Sequence, residues 1–133
     1  MNRMCVVPAI VMVAGLTVFS AVPALAGDSK AQVATAAAHA GMAAAAAEPK
    51  MVKGHLQHVI NCLVGPAGEG YDAAQANPCK DQGFGAIPDA PMDKMPALQA
   101  VLKIARDGVA EPDPAKAREK AAATQTALDK IRM

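Results

Sequence analysis

The chain has 133 residues, 13 of them Lys or Arg and 12 Asp or Glu, with the charges scattered singly along it. Near-neutrality without a basic face argues against nucleic acid or an anionic membrane surface as partner. There is no Trp, and one Tyr and two Phe leave almost no aromatic platform on which bases could stack.

Asn2 and Arg3 lead into an apolar run from Val6 to Val22 that ends in the small-residue pattern Ala24-Leu25-Ala26. This reads as a secretory signal peptide over residues 1–26. Pro8 and Pro23 interrupt or bound the run, which is barely as long as a spanning helix requires, so cleavage is expected over anchoring. Cleavage leaves 107 residues, one domain's worth of chain, with 12 basic residues against 12 acidic ones. The product is expected to be periplasmic or secreted, without membrane contact once the signal is removed.

Asp28 or Ser29 can cap a first helix that runs through Val33, His39 and Met42 to about Ala47. Alanine dominates it and favours the helix strongly, yet buries little area per residue. Such a helix either packs unusually close to a neighbour or lines a space that something else fills.

Pro49 suits the first position of a second helix, over about 50–64, in which Val52, Leu56, Val59, Ile60 and Leu63 recur as a core stripe. Met51, His55, His58 and Cys62 run parallel to that stripe, about 100° around the helix, where a neighbour would pack. Gly54 weakens the start of the helix but permits close approach. If Pro49 reverses the chain, His39 faces His58 and Met42 faces His55, and each pair projects from one helical face. If Pro49 only kinks one long helix, the same residues lie along a line.

Imidazole nitrogen with thioether sulfur is a borderline-to-soft donor set, so His39, His55 and His58 with Met42 assisting point to a transition metal, copper ahead of zinc or nickel. Thr35, Gln57 and Asn61 are the nearby polar side chains able to orient the imidazoles. The alternative is that these histidines are polar residues at a solvent edge. Met51, Met92 and Met95 read as core or surface residues. Non-covalent haem b between facing helices is disfavoured, because the covalent Cys-x-x-Cys-His signature is absent and large apolar walls are few.

An exported chain would retain Cys62 and Cys79, which in an oxidising compartment are expected to pair. The competing role for Cys62, four residues after His58, is a thiolate metal ligand. Between Gly65 and Pro91 periodicity vanishes under repeated Gly and Pro, giving a long loop over 65–92 that the disulfide would staple.

Asp93 precedes Met95-Pro96 and a third helix, over about 94–108, with Leu98, Val101, Leu102, Ala105 and Val109 on one face and Gly108 near its end. Asp113-Pro114 gives a cap and first-turn proline for a fourth helix, over about 114–131, with Ala117, Ala121, Thr124, Leu128 and Ile131 sharing a face. Lys130 and Arg132 suit its C-terminal dipole. No stretch alternates like a strand, so residues 27–133 are expected to form one all-α domain, a small antiparallel four-helix bundle.

No base sits beside an activated Ser or Cys and no carboxylate pair is fixed by spacing, so a non-enzymatic role is expected. The reading that follows is an exported metal-binding protein. Its alternative is a structural or interaction module that meets a protein partner through loop 65–92.

Overall fold

The computed structural model describes residues 27–131; the signal-peptide assignment and Arg132 lie outside them. Four α-helices follow in order, α1 (Ser29–Ala45), α2 (Pro49–Val64), α3 (Met95–Ala110) and α4 (Pro114–Lys130), and there is no strand among the described residues. Successive helices pack together and α4 closes against α1, while α2 and α4 also meet across the centre and α1 and α3 do not touch. Helices α1 and α4 run antiparallel, since Gly41 meets Gln125 while Val33 and Ala34 lie with Leu128 and Ile131, and so do α2 and α3, since Leu56 meets Gly108 while Val64 lies with Met95 and Leu102. No helix of the described residues is long and apolar enough to cross a membrane.

The helix boundaries follow local chemistry. Asp28 caps α1, its Oδ1 accepting from Ala31 N at 2.9 Å, and Asp113 caps α4 by accepting from Ala115 N at 2.8 Å and Lys116 N at 3.2 Å. Pro49 occupies the first turn of α2 after a break at residues 46–48, so it starts an antiparallel hairpin and does not kink a single helix. The expected cap at Asp93 is not formed. Lys94 takes the N-cap position with no side-chain cap bond. Helix α1 ends two residues earlier than expected and α3 two residues later, which places Gly108 inside the helix.

The core is built from the predicted stripes. Val52, Leu56, Val59, Ile60 and Leu63 of α2 are buried, as are Leu98, Val101, Leu102 and Ala105 of α3 and Ala117, Ala121, Thr124 and Leu128 of α4. Val109 and Ile131 are partly buried against them. The alanines of α1 resolve in favour of close packing: Ala36, Ala40 and Ala43 are fully buried, so small side chains bring the α1 backbone near its neighbours. Where α1 meets α4, a methyl group at Gly41 would come within 2.9 Å of Gln125 Nε2.

The loop between α2 and α3 is irregular but tied down. Cys62 of α2 is joined to Cys79 of the loop, which settles Cys62 as a disulfide partner and not a metal ligand. Ala86 N donates to Cys62 O and Ile87 N to Leu63 O, both at 2.9 Å, so the loop satisfies carbonyls that the end of a helix leaves without partners. Gly65 turns the chain with φ of +68°, and any side chain there would collide with Phe84 O. Asn61, fully buried, accepts from Asp72 N at 2.9 Å and donates to Asp72 O and Ala76 O at 3.0 Å each. Asp89 organises the far side, its Oδ2 accepting from both Gln32 Nε2 and Phe84 N at 2.7 Å.

Candidate metal centre

The α1–α2 hairpin brings the three histidines together. One ring nitrogen from each of His39, His55 and His58 can be chosen so that all three lie within 4.8 Å of one another. The ring centroids are 5.1 Å apart for His39 and His58 and 5.5 Å apart for the other two pairs. His39 therefore meets both histidines of α2, not His58 alone, which is what a ring lying between two positions three apart on the facing helix produces.

The closest approach is between His39 Nδ1 and His55 Nδ1, at 3.3 Å. Two imidazole nitrogens bound at about 2.0–2.1 Å to one tetrahedral ion stand about 3.3–3.4 Å apart, so this pair already has a ligand-like spacing. The third nitrogen, from His58, has to draw in to join them. His58 Nδ1 is buried and has no hydrogen-bond partner. An orphaned buried nitrogen beside two further imidazoles is an unfavourable arrangement for the bare protein, of about 1–3 kcal/mol, that a metal would relieve.

Electrostatics favours the metal over the proton near neutrality. Burial, followed by the charges that His58 and His55 would carry, lowers the His39 pKa below its ordinary value. Burial and His55 lower that of His58 in the same way. Protonation of His39 and His58 is thus discouraged, so their lone pairs remain free for coordination. No acidic or Cys side chain joins the group among the described residues.

The remaining predicted residues fall into place differently. Met42 lies one turn after His39 on α1 and is 47% exposed. Thr35, Gln57 and Asn61 do not orient the imidazoles: Thr35 accepts from Gln82 Nε2, Gln57 donates to Asn61 Oδ1 and Gly70 O, and Asn61 holds the loop. These polar side chains face the loop because its groups, the Gln82 side chain for Thr35 and backbone groups for Gln57 and Asn61, are their partners and are absent from any helical-wheel picture.

Sequence reasoning also missed the cleft of about 520 Å³ beside the cluster, whose walls include Met51, His55, His58, Asp72 and Gln75. Gly54, expected to admit a close neighbour, instead borders this cleft, and a methyl group there would meet nothing within 4 Å. Met51 is 51% exposed at the same place.

No protein-family model, curated protein or solved structure matches this chain. The functional reading therefore rests on the residues themselves.

Proposed function

We propose that the protein is an exported transition-metal carrier, periplasmic or secreted, in which His39, His55 and His58 hold the ion. The observation that carries this reading is the convergence of three imidazoles from two helices, within 4.8 Å of one another and with no carboxylate among them. Histidines crowded at a half-buried hairpin face serve no packing need that alanine or leucine would not meet better. An all-nitrogen set suits copper, zinc or nickel more than magnesium or calcium, which take oxygen.

Copper is the favoured cargo. Met42 follows His39 by three residues on the same helix and keeps an exposed, flexible thioether, a donor that favours copper over zinc. Centroid spacings of 5.1–5.5 Å pack the rings against one another, which suits one small ion better than a macrocycle held between them. Storage, delivery and sensing all need the same reversible site.

The test is calorimetric titration of the oxidised protein with Cu(I), Cu(II), Zn(II) and Ni(II), beside a variant with all three histidines changed to Ala. Stoichiometric binding that disappears in the variant is the expected result. Binding that is weak, or equal in both, would sink the metal reading. It would turn attention to loop 65–92, where Phe84 is 62% exposed and a protein partner could dock.

A further inference from the structure

Three imidazoles leave a four-coordinate Cu(II) ion one place short; the Met42 thioether is a soft donor matched to Cu(I), so the surroundings of that place decide what fills it in the divalent state. Cys62 is committed to its disulfide, and no carboxylate joins the imidazoles among the described residues. His55 and His58 are instead walls of the cleft of about 520 Å³, far larger than the roughly 30 Å³ occupied by one water. Lys50 and Lys53, which precede Gly54 on α2, line the same cleft, and Gly54 leaves open space beside His55. Neither lysine is in an ion pair among the described residues. The one acidic wall residue, Asp72, accepts a hydrogen bond from Ala74 N through Oδ1.

A divalent ion at the histidines would thus sit beside two free ammonium groups and one carboxylate, a balance that is strongly positive. Such a mouth repels a bare hydrated cation and attracts a small anion. Resting on the metal reading above, we propose that the open position of the bound metal faces this cleft and is taken by a small carboxylate anion. One carboxylate oxygen binds the metal while Lys50 and Lys53 neutralise the rest. Cargo would then be received and released together with its carboxylate, with nitrogen donors from the protein and oxygen donors from the small molecule.

The experiment uses the oxidised protein loaded with one equivalent of Cu(II), the oxidation state that accepts oxygen donors, and titrates it with oxalate while following the visible absorption and the electron paramagnetic resonance spectrum. The expected result is a saturable 1:1 spectral change with copper still protein-bound after gel filtration. A Lys50→Gln/Lys53→Gln variant should bind Cu(II) at least as tightly as the parent and weaken the oxalate response at least tenfold. A Cu(II) spectrum indifferent to oxalate, copper stripped into the filtrate, or an unchanged response in the double variant would each overturn the anion site while leaving the histidine site standing. Failure of the protein to take up Cu(II) at all would overturn both.

Discussion

His39 Nδ1 and His55 Nδ1 stand 3.3 Å apart across the α1–α2 hairpin, a distance that one proton or one metal ion can bridge. Without metal, one of these two nitrogens donates and the other accepts, and a second proton between them would face the first. The lowered pKa values of His39 and His58, due first to burial, mean that the unfolded chain binds protons more readily than the folded one. Stability of the metal-free protein is therefore fully present above about pH 6.5, the ordinary histidine value, and falls as pH drops from there through the lowered values. Thermal unfolding followed by circular dichroism at pH 7.5 and pH 5 should show a lower Tm in acid. Changing His39 and His58 to Gln should shrink that difference; an unchanged difference would place the pH sensitivity elsewhere.

Asn61 offers a sharper test of what orders the loop. Its amide accepts from Gln57 Nε2 and Asp72 N and donates to Asp72 O and Ala76 O, all inside the protein. Asn61→Ala would leave buried backbone groups of the loop without partners, at a cost of about 2–3 kcal/mol. Urea unfolding should register that loss in the midpoint. Hydrogen exchange should speed up at Asp72 and leave α4 unaffected. A neutral substitution would mean that the disulfide alone holds the segment.

What was legible in the sequence was what repeats with a helical period or follows from a single strong local rule. The stripes from Val52 to Leu63 and from Leu98 to Ala105, the caps at Asp28 and Asp113, the break before Pro49 and the Cys62–Cys79 pair all belong to that class. So does the meeting of His39 with α2, because reversal at Pro49 leaves few alternatives. Thr35, Gln57 and Asn61 were not legible, since their partners, the Gln82 side chain and backbone groups at Gly70, Asp72 and Ala76, belong to an aperiodic loop whose path is set by tertiary contacts. Gly54 and Gly108 exchanged roles for a similar reason: which small residue faces a neighbour depends on where helices cross, and spacing within one helix does not encode that.

The two glycines make opposite predictions. At Gly54 a methyl group would enter open space, so Gly54→Ala should stabilise α2 by about 0.5–1 kcal/mol through backbone entropy alone. At Gly108 it would lie 2.8 Å from Leu56 Cδ1 and 3.1 Å from Lys120 Cβ, and Leu56 is fully buried with no free direction to move. Gly108→Ala should therefore lower stability by about 1 kcal/mol, as overpacking outweighs the gain in helix propensity. Denaturant midpoints of the two variants should fall on opposite sides of the parent. Equal shifts in one direction would contradict the assigned packing of α3 on α2.

The disulfide is the remaining support of the hairpin's C-terminal end, and it acts on both stability and the site. Cys62 and Cys79 are separated by 17 residues, and closing a loop of that size restricts the unfolded chain by about 3 kcal/mol in the chain-entropy account. Cys62 is fully buried one turn beyond His58, and Cys79 Sγ lies 3.7 Å from Gln32 O on α1, so the bond also ties the loop to both helices that supply histidines. A Cys62→Ala/Cys79→Ala variant should lose about 2–4 kcal/mol by urea denaturation. It should also bind metal more weakly than the parent, because His58 would sit on a less restrained turn of α2. Free-thiol titration of the oxidised parent should find neither cysteine reactive. Full stability in the double variant would show that Asn61 and Asp89 hold the loop unaided, and unchanged metal affinity would show that the imidazole cluster is set by the hairpin alone.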